Sequence, residues 1–379
     1  MKLFKIEKND CCIEINILGI KIKFTDYKQL SKNLEKRILF AEGNIHNLLY
    51  GSRFVYTNGD KISKDNFVRF CSNRFYDLLG YFPNLKNPRS FNEKINWMKY
   101  NYYNPIENSC CDKYTAKQYF TDKVGEEYTV PLLGVWDDVN DIDFDKLPEQ
   151  IVFKNRVSGG AQGVKIVRNK SKIDLERLKY ELNSLLFDWN NDGYTNCLNP
   201  KRKEIKERLI AEEYIEQFDG QVYDYKFFCF HGKVKFLYVA KDHFPGQVSK
   251  ISFYTPDMKP CGFWNACHPQ IEETVSVPKN FDKMIEISEK LAEDFPFVRV
   301  DLYNIDGKIY VGELTFVPTG GFLKFNEIKY DFEIGKLLDL TKINPKFFLK
   351  PAIIETVATT KSSETRMVAE RNSSTCKKI

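Results

Sequence analysis

The sequence predicts an α+β protein in which antiparallel hairpins alternate with amphipathic helices. Three stretches each contain two apolar runs joined by a short turn or a glycine-containing loop, which is typical of hairpins: 151–167, 224–239 and 297–314. Four leucines recur at the spacing of one buried helical face: Leu175, Leu178, Leu182 and Leu185. A second amphipathic helix is predicted over 281–295, and a further helix is predicted over Asp112–Lys123. With 42% hydrophobic residues in 379, the chain can bury a large core.

The charge of the chain is unevenly distributed. The segment 341–379 holds eight of the 57 Lys and Arg residues and three of the 52 acidic residues, which leaves 49 of each sign in 1–340. A neutral body argues against a broad nucleic-acid surface, so no nucleic acid is expected as a partner. The basic, Ser/Thr-rich tail is expected to be disordered. Peripheral contact of this tail with an anionic membrane is the alternative.

The sequence also indicates the cellular compartment of the protein. No run approaches 18 apolar residues, so we expect no transmembrane helix. We also expect no signal peptide, since no apolar run with a small-residue cleavage site follows Met1–Asp10. The ten cysteines then indicate free thiols in a reducing cytoplasm. The predicted location is cytoplasmic, or at the inner membrane face if the tail binds there, and the sequence does not indicate an oligomeric state.

The chain divides into three predicted regions. Residues 1–73 form an accessory region with a β-hairpin, because Ile20, Ile22 and Phe24 alternate strictly with lysines. Residues 74–340 form the main domain, whose aromatic run over 75–103 is expected to be core. Residues 341–379 are the tail.

A glycine-rich loop lies at the tip of the first hairpin. Lys154 ends the entering strand, and the loop Asn155–Gly163 leads directly into a second strand, Val164–Val167. The loop is neither a Walker A motif nor a dinucleotide fingerprint, because no Gly-Lys-Ser/Thr and no helix follow it. Glycines allow backbone N–H groups to approach phosphate oxygens, and a lysine can neutralise their charge. The alternative is a mobile surface hairpin with a solvated lysine.

Two carboxylates are predicted to face each other on the last hairpin. Alternation places Arg299 and Asp301 on one face, and hairpin pairing brings Glu313 opposite Asp301. Adjacent carboxylates repel unless a cation lies between them. Mg²⁺ prefers such oxygen ligands and completes its shell with water and phosphate. An exposed Arg–Asp–Glu network is the alternative.

In this order, the motifs over 112–340 resemble the ATP-grasp superfamily. The resemblance implies two α+β lobes that grip ATP between them, a phosphate-loop lobe at about 125–215 and a metal-binding lobe at about 216–340. It implies that Arg299 is catalytic, that Asp301 and Glu313 bind Mg²⁺, and that one loop faces the acceptor substrate: Pro318, Gly320 and Gly321. The implied nucleotide-binding residues are Lys113, Lys154, Ser158, Gly159, Gly160, Gly163, Glu212, Glu213, Tyr214, Ile215 and Lys226. The family usually carries Asn where this chain has Thr315, so we expect one magnesium ion rather than two.

Three longer stretches resemble one family within the ATP-grasp superfamily: Asp224–Lys233, Asp294–Tyr303 and Gly312–Phe316. This family is the TupA-like ATP-grasp proteins of bacterial surface-polysaccharide biosynthesis. This resemblance implies a ligase that activates a carboxylate as an acylphosphate and joins it to an amine or another nucleophile. The implied partners are ATP and a carboxylate-bearing glycan or amino acid of the capsule or cell wall.

Three alternatives stay open. A metal-dependent glycosyltransferase could use Asp143 and Asp145, which have the Asp-x-Asp form of a nucleotide-sugar site. A kinase-like phosphotransferase could use the same nucleotide site. A non-catalytic binding module would bind ATP without turning it over.

Overall fold

The structure, a computed structural model, describes residues 4–9, 12–17, 20–24, 64–155, 163–186, 208–215, 223–241 and 248–349. The chain divides into two compact units, Met1–Asp60 and Lys61–Ile379. Three predicted loop residues, Ser158, Gly159 and Gly160, lie outside the described residues, as do residues 350–379 of the predicted tail. The prediction of disorder is wrong for residues 341–349, which contain the 3₁₀ turn Pro345–Phe347 and a bridge between Phe348 and Tyr102. The boundaries drawn from the sequence at 73 and 340 stay predictions.

The first unit contains an antiparallel sheet of three consecutive strands. These are β1 (Phe4–Asn9), β2 (Cys12–Ile17) and β3 (Ile20–Phe24). In the β2–β3 pair, Ile15 lies opposite Ile22. The strand predicted from the alternation at Ile20, Ile22 and Phe24 is confirmed, and β1 extends the predicted hairpin to a sheet.

The second unit contains a four-stranded sheet that carries the glycine-loop hairpin. Its strands are β4 (Leu132–Trp136), β5 (Ile151–Asn155), β6 (Val164–Val167) and β7 (Leu209–Glu213), in the spatial order β4-β7-β5-β6. All neighbouring strands are antiparallel. Period-two alternation buries Ile151 and Phe153 and turns Lys154 to the other face.

A five-stranded antiparallel sheet completes the second unit. It consists of β8 (Asp224–Phe230), β9 (Lys233–Lys241), β10 (Lys250–Tyr254), β11 (Phe297–Ile305) and β12 (Lys308–Thr315). The spatial order is β10-β9-β8-β11-β12. Strands β8 and β11, which lie far apart in sequence, are therefore neighbours.

Two predicted tight turns set the pairing of the residues next to them, and a β-bulge in each hairpin shifts the pairing farther from the turn. His231 and Gly232 join β8 to β9 with φ values of 49° and 75°, and Asp306 and Gly307 join β11 to β12 with 50° and 97°. Paired left-handed residues match the twist of antiparallel strands, and Asp and Gly adopt that conformation at low cost. Both hairpins are confirmed.

The described helices are α1 (Lys64–Leu79), α2 (Phe91–Asn101), α3 (Pro105–Cys110), α4 (Ala116–Val124), α5 (Leu175–Leu186), α6 (Phe281–Ala292) and α7 (Ile328–Gly335). A capping box starts α2: Ser90 Oγ accepts from the Glu93 amide at 3.1 Å, and the Glu93 carboxylate accepts from the Ser90 amide at 2.9 Å. None of the helices that the structure describes has the length and apolarity needed to cross a bilayer.

Helix α4 begins later than the sequence predicts. We expected it to start at Asp112, but its first residue is Ala116. The Asp112 carboxylate accepts from the Tyr114 amide at 2.9 Å, which holds the chain in a turn instead. Lys113 therefore projects from this turn rather than from the helix.

Aromatic rings fill much of the core between the larger sheet and α2. The Phe91 ring lies 5.0 Å from that of Phe297, edge to face, and Phe91 and Phe297 are both at most 1% exposed. Only part of the aromatic run over 75–103, which the sequence predicts to be core, is buried. Phe75 is fully buried, but Tyr76 and Phe82 are 56% and 67% exposed and stack on each other at 4.9 Å.

Gly335, the last residue of α7, lies against the backbone just before α2. A Cβ there would be 2.2 Å from the Arg89 carbonyl oxygen, which cannot move without shifting the chain. We expect Gly335→Ala to lower the free energy of unfolding by about 3 kcal/mol. Gly262→Ala is the control, because its Cβ would meet nothing closer than Tyr330 Oη at 3.6 Å. Urea denaturation of both variants measures the difference, and equal midpoints would contradict this account.

Candidate active site

Arg299, Asp301 and Glu313 meet on one face of the β11–β12 hairpin. Asp301 lies directly opposite Glu313 in the strand register. Arg299 donates from Nε and Nη2 to the two Asp301 oxygens at 2.7 and 2.6 Å. The same Nη2 lies 3.4 Å from Glu313 Oε1 and 2.9 Å from Thr315 Oγ1. The predicted common face of the three residues is confirmed.

Strand β8 adds two charges to this cluster. Lys226 Nζ lies 2.6 Å from Asp301 Oδ2 and 3.2 Å from Asp224 Oδ2. All three side chains are largely buried, with Asp301 4% exposed and Lys226 14%. Lys226, a predicted nucleotide-binding residue, therefore contacts Asp301, a predicted metal ligand.

The oxygen ligands of Asp301 and Glu313 suit a magnesium ion. Burial opposes ionisation of Glu313, yet Lys113, Lys226 and Arg299 lower its pKa to about 2. Burial raises the pKa of Asp301, and Arg299 and Lys226 counteract that effect. The paired carboxylates are thus balanced by cations in this structure. The described residues hold no cluster of three or more potential ligands, so a cation here would complete its shell with water and substrate oxygens.

A second charged cluster lies on the smaller sheet. Glu212 of β7 receives one lysine on each oxygen: Lys154 Nζ lies 2.5 Å from Oε2, and Lys117 Nζ lies 2.6 Å from Oε1. Lys117 also donates to the Val130 carbonyl oxygen at 2.6 Å, which ties α4 to this sheet. Burial raises the pKa of Glu212, but Lys154 and Lys117 overcome it, and the pKa lies below its ordinary value.

The two clusters are within electrostatic range of each other. Burial lowers the pKa of Lys154, but the Glu212 carboxylate, together with Tyr303 and Glu313, raises it overall. Tyr303 and Glu313 belong to the larger sheet, and Lys154 belongs to the smaller one. Lys154 therefore interacts electrostatically with one carboxylate of the larger sheet, Glu313, which itself lies opposite Asp301.

The remaining predicted nucleotide residues differ in orientation. Gly163 is buried at the start of β6, whereas Glu213 is exposed and turned away from Glu212. Tyr214 and Ile215 are half-buried. The Arg168 guanidinium donates to Tyr214 Oη at 2.7 Å, which holds the ring in place. Glu212 is thus the carboxylate of this segment that contacts Lys154.

The predicted acceptor loop follows β12 as a short 3₁₀ turn, Pro318–Gly321. Thr319, Gly320 and Gly321 have φ values of 48°, 66° and 80°. A Cβ on Gly321 would come within 2.7 Å of Asn96 Nδ2, so glycine is needed both for the conformation and for the close approach of α2.

The family model of TupA-like ATPgrasp proteins matches residues 93–339, well over half of the 379-residue chain. The chain belongs to this family. The match includes every site residue named above from Lys113 to Gly321. The TupA-like resemblance and the α+β, ATP-grasp fold predicted from the sequence are confirmed.

Solved structures resemble this TupA-like ATP-grasp protein more distantly. D-alanine–D-alanine ligase from Bacillus anthracis is 20% identical with a TM-score of 0.38, covering 59% of this chain and 64% of that one. The corresponding ligase from Helicobacter pylori is 14% identical with a TM-score of 0.38, covering 67% and 68%. The chain therefore spans less than two thirds of the Bacillus anthracis enzyme. No curated protein matches the chain.

Asp143 has local hydrogen-bond and ion-pair partners in this TupA-like ATP-grasp protein. Asp143 Oδ1 accepts from the Asp145 amide at 3.2 Å, and Oδ2 pairs with Lys146 at 2.9 Å. Asp143 therefore caps an exposed 3₁₀ turn, and the Asp-x-Asp form has a local structural explanation.

Sequence reasoning missed three residues that contact the predicted site: Lys117, Asp224 and Lys99. Asp224 alternates with Lys226, so strand spacing could have placed it. Lys117 lies on α4, but Lys113 precedes that helix in a turn, so helical spacing from Lys113 could not have placed Lys117. Lys99 had no such signal, because only the packing of α2 brings it to the loop after β12.

Proposed function

We propose that the protein is an ATP- and Mg²⁺-dependent carboxylate–amine ligase that acts through an acylphosphate. The observation that carries the proposal is the presence of two buried charged clusters, Arg299–Asp301–Glu313 with Lys226 on the larger sheet and Lys154–Glu212–Lys117 on the smaller one. Membership in the TupA-like ATP-grasp family supports the same reaction class.

Each predicted residue has a role that its chemistry supports. Lys113 and Lys154 neutralise phosphate oxygens of ATP, Lys226 supports the nucleotide, and the segment Glu212–Ile215 binds the adenine. Asp301 and Glu313 hold Mg²⁺, which when bound neutralises charge on the phosphates. Arg299 stabilises negative charge that develops in the transition state. Pro318, Gly320 and Gly321 face the acceptor.

The proposed reaction has two steps. A carboxylate oxygen attacks the γ-phosphorus of ATP, the bond to the ADP oxygen breaks, and an acylphosphate forms. An amine nitrogen then attacks the acyl carbon, the bond to the phosphate oxygen breaks, and inorganic phosphate leaves. Positioning and charge stabilisation supply most of the catalysis in such transfers, so no covalent nucleophile of the protein is required.

The proposed substrate is a bacterial capsule or cell-wall polysaccharide, or its precursor, that is joined to an amino acid. A uronic acid would supply the carboxylate and the amino acid the amine, or the reverse. The TupA-like family membership supports this substrate class.

Mass spectrometry of the reaction products tests the proposal. The enzyme is incubated with ATP, Mg²⁺, pooled amino acids and a uronic-acid oligosaccharide. We expect a new amide with a mass equal to the sum of the two substrates less one water, formed together with ADP and phosphate. A stable phosphorylated sugar without any amide would identify a phosphotransferase, and ATP-independent transfer from a UDP-sugar would identify a glycosyltransferase.

A further inference from the structure

One face of α2 carries three buried polar side chains. Asn92, Asn96 and Lys99 follow the i, i+4, i+7 spacing of a helical stripe, and their exposed fractions are 0%, 0% and 1%. Such a stripe is ordinarily apolar, because burying an amide or an ammonium group costs free energy unless it is hydrogen-bonded. We call these three residues the polar ladder.

The polar ladder binds the segment that follows β12. Asn92 exchanges two hydrogen bonds with the Leu323 backbone, at 2.8 and 2.9 Å. Asn96 Nδ2 donates to the Gly321 carbonyl at 2.7 Å, and Lys99 Nζ donates to the Gly320 carbonyl at 2.5 Å. Lys99 Nζ also donates to Asn96 Oδ1 at 2.7 Å, which links the two side chains.

The segment bound by the polar ladder has an unfavourable backbone conformation. Thr319, Gly320 and Gly321 are all left-handed, and this conformation is unfavourable for a threonine. Such strain persists where surrounding contacts hold the chain in place. In a planar trans peptide the C=O and the N–H point in opposite directions. Since the Gly320 carbonyl points at Lys99, the Gly321 N–H points away from α2.

We propose that Lys99 and Asn96 are positioning residues for the acceptor substrate, which act by holding the Pro318–Gly321 loop in its left-handed conformation. The inference rests on the proposed function, which assigns this loop to the acceptor. An apolar side chain would fill the Lys99 position without the cost of burying an ammonium group. The ammonium group is therefore used for its hydrogen bonds to the loop and to Asn96.

Lys94 provides a matched control on the same helix. Its Nζ donates to the Gly335 and Leu338 carbonyls at 2.8 and 2.7 Å. Lys94→Met thus removes two lysine–carbonyl hydrogen bonds of the same kind, but at the end of α7 rather than at the loop. An increase in exchange of the 317–323 segment that appears in Lys99→Met and not in Lys94→Met is assigned to the contacts of Lys99 with this segment, which include the Phe322 ring at 5.0 Å.

Hydrogen exchange tests the structural part of the inference on the whole protein. We expect Lys99→Met to raise amide exchange over 317–323 by about tenfold and Lys94→Met to leave this segment unchanged. Asn96→Ala is the second variant, chosen in case Lys99→Met does not fold, and it should show the same local increase. Unchanged protection of 317–323 in a folded Lys99 or Asn96 variant would overturn the inference.

Kinetics with the pooled amino acids and the uronic-acid oligosaccharide test the functional part. Lys99→Met and Asn96→Ala should raise the KM for the acceptor by about tenfold and change the KM for ATP by less than about twofold. Lys94→Met should change neither. If the wild type makes no amide, the proposed function fails and hydrogen exchange alone decides the role of the ladder. If the wild type makes the amide and both ladder variants keep its acceptor KM, the positioning role is wrong.

Discussion

Asp301→Asn is expected to reduce Mg-ATP-dependent turnover by about 100-fold or more, because the carboxylate is central to the charged cluster on β11 and β12. Asparagine has nearly the same shape but no charge. It would weaken the magnesium site and leave Arg299 and Lys226 without their shared carboxylate. Release of phosphate from ATP in the presence of the amino-acid and glycan mixture measures the loss.

The same substitution should destabilise the protein. Asp301 accepts at 2.7 and 2.6 Å from Arg299 and at 2.6 Å from Lys226, and its side chain is 4% exposed. Removing one partner of a buried ionic cluster leaves charges that water cannot reach. We expect a loss of about 3 kcal/mol in the free energy of unfolding.

Asp306→Asn is the matched control for Asp301→Asn. Asp306 lies in the turn of the same hairpin and pairs with Lys279, but both side chains are more than half exposed. Asparagine also tolerates the left-handed φ of 50° at this position. We expect a stability change within about 0.5 kcal/mol and unchanged turnover. Wild-type turnover in a folded Asp301→Asn variant would exclude Asp301 as a metal ligand.

Glu212→Gln is expected to lower the free energy of unfolding by about 3 kcal/mol. Its carboxylate receives both Lys154 and Lys117, and its side chain is 6% exposed. The substitution leaves two buried ammonium groups without a counter-charge. Because Lys154 is also a proposed phosphate ligand, the affinity for Mg-ATP should change as well, which the thermal shift on adding Mg-ATP measures.

The decrease in the free energy of unfolding at acid pH provides an independent measurement of the contribution of Glu212. Lys154 and Lys117 hold the pKa of Glu212 below its ordinary value of 4.5, against the effect of burial. A lowered folded-state pKa means that the stabilisation is complete above the ordinary value and is lost as the pH falls through the folded-state pKa. Glu212→Gln should therefore lose less stability than the wild type between neutral pH and acid.

Glu181→Gln is the control for Glu212→Gln. Glu181 also contacts two cations, Lys165 and Arg177, but Arg177 is 78% exposed and Glu181 is 31% exposed. Exposed ion pairs contribute little, so we expect a change of about 0.5 kcal/mol or less. Equal losses in the two variants would show that burial of the Lys154–Glu212–Lys117 cluster does not matter.

The spacing of residues along the sequence predicted some features of the site and the fold correctly but not others. The shared face of Arg299 and Asp301 followed from strand alternation. The Asp-Gly turn by itself would pair Asp301 with Gly312, and a β-bulge between Asp301 and Leu302 shifts the pairing so that Glu313 lies opposite Asp301. The start of α4 did not follow, because the Asp112 side chain competes with helix formation by binding the Tyr114 amide. The exposure of Tyr76 and Phe82 did not follow either, since apolar character alone does not show which face a segment buries.

The sequence by itself determined the hairpins and their tight turns, because each depends on residues within one hairpin. The structure decided that Glu313 lies opposite Asp301, because the β-bulge between Asp301 and Leu302 shifts the pairing by one residue. The tertiary structure decided that Lys117 and Lys154 share Glu212, and that Lys226 contacts Asp301 across β8 and β11. It also decided that Lys99 supports Gly320, 221 residues away along the chain. Such contacts depend on how separate elements pack, and no local period of the sequence specifies that packing.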